Sequence, residues 1–497
     1  MTTISKFDWL TAQTCPAKAW HGLRAPAAAP SEADRFRMEQ GQEVGALGRA
    51  LYPEGILICS KNGKSPAQIT QELISDQNHK TFFEATVHAA PFVAKADILR
   101  REDSVWHVLE VKSSFSDSGA IDELVSDLAY TVTVFRRGGL PIERASLLLL
   151  SRQFRFGDGP EKLFDIVDCT DEVLDRVVKF NRSADVIAKA LFRDTPPPAV
   201  LRPACRDCDF FDTKCLGTGI AHTVLEIPGL HHKKLKRLSD EGIIDLSQIP
   251  DDLCLNDRQM RAEEAVLSGK VIVDDVLGTA LSAIAWPCHY LDFETVATVL
   301  PLYQGHGCHQ QVLTQFSIHH RDSMDAEPRH SEYLADATRD CQRDVAEALI
   351  AALGKEGSVV VYSSFEQTRI KTLRNLFPDL ARPLDAILAR LVDLLPIITE
   401  YVYHPAFKGS YSIKKVLPAL VPDLSYKGLP VADGDTAITR FAQMARGRIT
   451  GTDVELTRQQ LLDYCRLDTL AMLRLHKTLH QLASQEQPVR TLTSTMT

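Results

Sequence analysis

The stretch His289-Tyr-Leu-Asp-Phe-Glu-Thr295 sets two carboxylates, Asp292 and Glu294, two positions apart in an apolar run that reads as a β-strand. Side chains at i and i+2 of a strand share a face, so both carboxylates point into the same space. Like charges held that close repel unless something positive sits between them. A divalent ion suits such a pair, because Mg²⁺ and Mn²⁺ prefer oxygen ligands. The remaining ligands must then come from elsewhere in the chain.

Two later segments offer them. Leu456-Thr-Arg-Gln-Gln-Leu-Leu-Asp-Tyr-Cys-Arg-Leu-Asp468 opens an apolar pattern with helical spacing. Within it Tyr464 and Asp468 are one turn apart on one face. Between strand and helix, the run from Gly357 to Leu373 reads as a buried strand, a polar turn and a helix opening at Phe365-Glu366. Glu366 is the first candidate for the fourth acid, and Asp393 is the second, able to supply a carboxylate or merely cap the next segment.

A D-x-E strand followed by a Y-x3-D helix resembles the tyrosine subtype of the DEDD exonucleases, the DnaQ-like group with RNase H-like fold. The resemblance implies that Asp292, Glu294, Glu366 and Asp468 hold two metal ions and that Tyr464 orients the attacking water. Two such ions would stabilise the incoming nucleophile and the departing 3′ oxygen. Glu366 stands where that family has aspartate, one methylene shorter. Lys408, Lys414 and Lys415 fall in a segment that resembles the substrate side of these enzymes, although any one of them also reads as a solvated lysine.

A second acidic set lies upstream, in Ala94-Lys-Ala-Asp-Ile-Leu-Arg-Arg-Glu-Asp-Ser-Val-Trp-His-Val-Leu-Glu-Val-Lys112. This reads as two strands joined by a polar turn, with Asp97 on the first and Glu110 and Lys112 on one face of the second. The pattern D-x12-E-x-K is that of the PD-(D/E)XK nucleases. Asp97 and Glu110 would hold Mg²⁺ or Mn²⁺, and Lys112 would orient the water and offset phosphate charge. Glu43, on a predicted helix, is the candidate for an additional acidic ligand. The segment Ser126-Asp-Leu-Ala-Tyr130 resembles the helix that carries a glutamine in RecB-type nucleases, with Thr131 at the matching place.

Cys205, Cys208 and Cys215 form C-x2-C-x6-C. Three thiols so close suit one soft metal centre, either zinc or an iron–sulfur cluster, and each of those takes four ligands. Buried structural thiols are the plain alternative. A lone N-terminal cysteine, a nuclease-like core and three clustered cysteines resemble the RecB-related iron–sulfur nucleases, AddB included. The resemblance implies a [4Fe–4S] cluster on Cys15, Cys205, Cys208 and Cys215, structural rather than redox in role. The whole arrangement is also similar to a poorly characterised bacterial family of proteins with a domain of unknown function.

The fold expected is α/β. Its parts are a RecB-like PD-(D/E)XK domain at 1–220, a helical connector at 221–283 and an RNase H-like DEDD domain at 284–482, with a disordered tail at 483–497. At 497 residues, more than one core is expected in any case. In the connector, Lys233, Lys234, Lys236 and Arg237 follow a Pro-Gly turn that loosely resembles a helix-hairpin-helix; a basic solvated helix fits equally.

Net charge is −9, which argues against a protein that merely coats polyanions but is compatible with a metal-dependent nuclease. No apolar run reaches about 18 residues, and the start lacks a secretory pattern, so a cytoplasmic protein with no membrane partner is expected. The activity expected is hydrolysis of nucleic acid, DNA by the RecB resemblance, with a 3′–5′ exonuclease in the C-terminal half. The alternative is a nucleic-acid-binding scaffold with one or both sites inactive.

Overall fold

The computed structural model describes residues 3–26, 28–103 and 105–485. The expected tail therefore lies, from residue 486 onward, outside the described residues. The fold is mixed α/β, in two compact units. Unit 1 comprises 1–200 and 297–310; unit 2 comprises 201–296 and 311–497. The expected connector, 221–283, is thus grouped with unit 2, while a loop of the expected C-terminal domain, 297–310, is grouped with unit 1.

Unit 1 is built on a sheet of six strands in chain order: β1 (Ile56–Leu57), β2 (Thr81–Ala89), β3 (Phe92–Glu102), β4 (Val105–Phe115), β5 (Ile142–Leu150) and β6 (Phe164–Asp168). β2, β3 and β4 form an antiparallel meander, and β5 joins β4 in parallel after the helix Ile121–Arg137. Sequence accounts for the central strands being covered on both sides. Leu147 and Leu149 pack in one apolar cluster with Leu99, Val108 and Leu128, whereas Leu148 and Leu150 pack in another with Val44, Ile98 and Leu109. Alternate side chains of one strand therefore fill two cores. The helix Glu32–Ala50 lies on the second face: a Cβ at Gly48 would stand 3.0 Å from Val111 and 3.2 Å from Leu148. The 297–310 loop is stitched into this unit, with His309 Nε2 2.6 Å from the Ser113 carbonyl and Val299 N–H donating to the buried Gln40.

Unit 2 holds β7 (Ile272–Val273), β8 (Cys288–Val296), β9 (Val312–Arg321), β10 (Arg329–Leu334), β11 (Ser358–Val361), β12 (Leu391–Asp393) and β13 (Val402–Tyr403). Five of them form one sheet in the order β10-β9-β8-β11-β12, and β7 pairs with β13 apart from it. β8, β9 and β10 are antiparallel neighbours; β11 and β12 add in parallel. Gly357 sets the approach of β11 to β8. Its φ is +73°, and a Cβ there would fall 1.8 Å from the Pro287 carbonyl, so only glycine fits.

The long helix Thr452–Ala483 lies across β8 and β9. Three side chains of β9 fix it there. Gln315 Nε2 donates to the Leu461 carbonyl at 2.9 Å, while Ser317 Oγ and His319 Nδ1 stand 2.9 and 2.7 Å from Thr469 Oγ1. These anchors bracket Tyr464 and Asp468, so the helix is pinned on either side of its polar turn. Among the described residues, no helix is long and apolar enough to cross a membrane.

Candidate functional site

In unit 2 the quoted stretch is β8, and Tyr290, Asp292 and Glu294 all point at the long helix. Tyr290 OH meets His476 Nδ1 at 2.8 Å, and the Cys465 thiol donates to Asp292 Oδ2 at 3.3 Å. Carboxylate oxygens of Asp292, Glu294 and Asp468 lie within 4.8 Å of one another. Glu366 arrives in the first turn of the helix Phe365–Leu376, directly after β11, which pairs with β8. It is 4% exposed, and its Oε2 is buried with no hydrogen-bond partner. A buried carboxylate oxygen left unpaired is costly unless a cation completes it.

The electrostatics agree. Burial, and then the charges of Asp468, Glu294 and Glu366, push the Asp292 carboxyl well above the usual carboxylate range. Burial and Asp468 do the same to Glu294, against the opposing charge of Lys414. Glu366 is pushed up to about 7, by burial first, with Asp393 and Asp468 adding to it. Asp468 is pushed up to about 6 by burial, although the Tyr426 hydroxyl and Lys414 pull the other way. Four acids that resist ionising together are short of positive charge.

Tyr464 is buried on the same helix face, its ring 6.2 Å from that of Tyr426. Tyr426 donates its hydroxyl to Asp468 Oδ1 at 2.5 Å. Asp393 accepts the Leu395 N–H at 2.9 Å and so caps the helix Leu394–Tyr401; its charge reaches Glu366 without joining the three clustered acids. Of the lysines named from sequence, Lys414 acts on Glu294 and Asp468, whereas Lys408 is tied to Glu226 Oε1 at 3.0 Å and to the Ala221 carbonyl. In the helix His232–Asp240, Lys234 bonds the Cys254 carbonyl, Lys236 pairs with Asp240, and Arg237 pairs with Glu241 and Asp252.

In unit 1, Asp97 on β3 and Glu110 and Lys112 on β4 share the sheet face covered by the helix Ile121–Arg137. Asp97 Oδ2 accepts the Val111 N–H at 2.8 Å, and burial followed by the charge of Glu110 pushes its carboxyl up to about 7. Glu110 is 3% exposed; its Oε1 accepts from Lys112 at 3.2 Å, and its Oε2 is buried without a partner. Two groups that sequence did not select complete the set: Lys6 stands 2.6 Å from Glu110 Oε1, and Asp127 pairs with both lysines. The Lys112 ammonium is itself buried, which alone would lower its pKa; Glu110 and Asp127 outweigh this and raise it. Glu43 is half-buried on the helix Glu32–Ala50, whose Val44 packs in the cluster on the other sheet face. Tyr130 directs its hydroxyl to the backbone carbonyls of Ile4 and Val93, and Thr131 beside it is fully buried.

Cys15 belongs to unit 1 and Cys205, Cys208 and Cys215 to unit 2; all four are half-buried, and Cys15 Sγ accepts the Lys18 N–H at 3.4 Å. Cys205 and Cys208 border an apolar cluster of Leu201, Phe211 and Val224.

A family model described as a domain of unknown function, DUF2779, matches residues 289–412. The C-terminal half carries a DUF2779 domain. The matched DUF2779 segment starts at the quoted stretch and takes in Asp292, Glu294, Glu366 and Asp393, but stops short of Tyr426, Tyr464 and Asp468. The chain is also similar to an uncharacterized protein of Ureaplasma parvum serovar 3, 27% identical over 205 residues. That match covers 37% of this chain and 30% of the Ureaplasma protein, so the chain spans less than a third of that relative.

Cys465 was open to discovery from sequence, since it sits at i−3 from Asp468 on the same helical face. Tyr426 lies in an irregular segment with no periodicity to read. Lys6 and Asp127 become neighbours only through the fold.

Proposed function

We propose that the protein is a metal-dependent nuclease, with a DEDD-type exonuclease centre in unit 2 and a RecB-like PD-(D/E)XK centre in unit 1. The observation that carries this reading is the convergence of Asp292, Glu294 and Asp468 within 4.8 Å, beside the orphaned Oε2 of buried Glu366. Hard oxygen donors in that number suit Mg²⁺ or Mn²⁺. Such ions, when bound, supply Lewis acidity toward a phosphodiester and lower the pKa of water.

The chain's own groups do the rest. Asp292, Glu294, Asp468 and Glu366 would hold the ions, and the Cys465 thiol and Tyr426 hydroxyl fix the rotamers of Asp292 and Asp468 by donating to them. Tyr464, one turn before Asp468 on the same helix face, would orient the water. Lys414 places a cation at the same group of acids, where a phosphate would approach. An antiparallel meander extended by two parallel strands, with the acids on its first strand, supports the RNase H-like reading. In unit 1, Asp97 and Glu110 Oε2 would hold an ion, and DNA is favoured over RNA through the RecB resemblance alone.

The first test is release of nucleotide from the labelled 3′ end of single-stranded DNA. Release that requires Mg²⁺ or Mn²⁺ and stops with a chelator is expected; no release under any divalent ion leaves the scaffold reading instead. The [4Fe–4S] cluster on Cys15, Cys205, Cys208 and Cys215 is carried by the RecB resemblance and by the preference of such clusters for four thiolate ligands. Anaerobically purified protein should then be brown with four irons per chain. Colourless protein carrying stoichiometric zinc contradicts it.

A further inference from the structure

The first acidic set holds two lysines, and D-x12-E-x-K accounts for only one. Lys6 opens the helix Lys6–Thr14, and its place is strongly determined. Ile4, fully buried, is stitched to β3: its N–H donates to the Pro91 carbonyl at 2.9 Å, and the Val93 N–H donates to its carbonyl at 3.1 Å. The Tyr130 hydroxyl lies 2.7 Å from that same Ile4 carbonyl. Ser5 and Asp8 then form a capping box that starts the helix.

This delivers the Lys6 ammonium to Glu110 Oε1 at 2.6 Å and to Asp127 Oδ2 at 3.3 Å. Lys112 uses the same two oxygens. Two ammonium groups therefore share one pair of carboxylate oxygens, while Glu110 Oε2 is buried and unpartnered on the side left for an ion. One lysine suffices to balance Asp127. The two side chains are buried to the same degree, 27% exposed for Lys6 and 24% for Lys112, so what separates them is position: Lys6 lies closer to Glu110, and Lys112 closer to Asp127.

We propose that Lys6 is a substrate-binding residue of the first site, its ammonium taking a phosphate oxygen of the nucleic-acid strand while Lys112 stays on Asp127. The proposal rests on reading Asp97 and Glu110 as a divalent-ion site that acts on nucleic acid. A lysine in that role acts with opposite signs on the two ligands. Its charge repels a divalent ion at Glu110 and attracts a phosphate.

The experiment uses the full chain carrying Asp292→Asn and Asp468→Asn, so that manganese binding reports the first site. Adding Lys6→Met should tighten Mn²⁺ binding, read by electron paramagnetic resonance, by about threefold or more. The same change should weaken binding of a fluorescein-labelled single-stranded DNA in Ca²⁺ by about tenfold, and Lys6→Arg should restore it. Weakening of both ligands by Lys6→Met, the result of a merely structural lysine, overturns the proposal, as does DNA binding that does not change. Glu110→Gln separates the two levels: Mn²⁺ binding lost with Glu110→Gln keeps the metal-site reading, and binding retained removes that reading and the proposal with it.

Discussion

Asp292→Ala and Asp468→Ala should each lower metal-dependent release from a 3′ end by about a thousandfold, because each removes an ion ligand that neighbouring groups cannot replace. The two acids come from different elements, β8 and the long helix, yet their oxygens are among the three that lie within 4.8 Å. Tyr464→Phe keeps the ring and removes only the hydroxyl, so a smaller loss, about ten- to a hundredfold, is expected. Single-turnover assays at saturating Mn²⁺ measure this without confusion from weaker ion binding. Undiminished release by both alanine variants would mean that the activity arises elsewhere in the chain.

The second large effect concerns stability. Asp97 and Glu366 have carboxyls near 7, Asp468 near 6, and those of Asp292 and Glu294 are raised well above the ordinary range. Each has a folded pKa above its unfolded value, so the folded state holds protons that the unfolded chain has already released. Their stabilising share is complete below about pH 4 and is lost as pH rises through the folded values. Buried histidines act in the reverse direction. His319 is pushed down to about 3, and His320, His330 and His476 to about 4, all by burial first. Their contribution is complete above about pH 6.5 and disappears as pH falls toward those lower values.

Between about pH 6.5 and 8, therefore, only the carboxylates titrate among these groups, and metal-free protein should lose stability as pH rises. Asp292→Asn removes one of the crowded charges. It should stabilise the metal-free protein at about pH 8, because one fewer buried carboxylate is then left to ionise beside the others. The same variant should lose most of the stabilisation that Mn²⁺ gives to the wild type. Denaturant melts with and without Mn²⁺ measure both, and a variant less stable than wild type without metal would show that the acids are not in conflict.

The acidic centre of unit 2 was largely legible in sequence because each half of it is locally encoded. A period of two puts Asp292 and Glu294 on one strand face, and a period near four puts Tyr464 and Asp468 on one helix face. Glu366 was legible as the residue following a buried strand and a short polar turn. What local period cannot encode is the partner across the fold. Lys6 and Glu110 are 104 positions apart, and their contact depends on the buried bridge of Ile4 to β3. The same limit hid Tyr426, and it hid the departure of 297–310 from unit 2 directly after β8. Lys408 shows the converse: its sequence neighbourhood suggested phosphate, but Glu226, 182 positions away, holds it.

Whether the acids around Asp292 form a divalent-ion centre is read from crystals grown with Mn²⁺, by anomalous scattering. Manganese bound by Asp292, Glu294 and Asp468 is expected, with Glu366 Oε2 no longer without a partner. Manganese found only at other positions, with these four carboxylates free of metal at neutral pH, would contradict it.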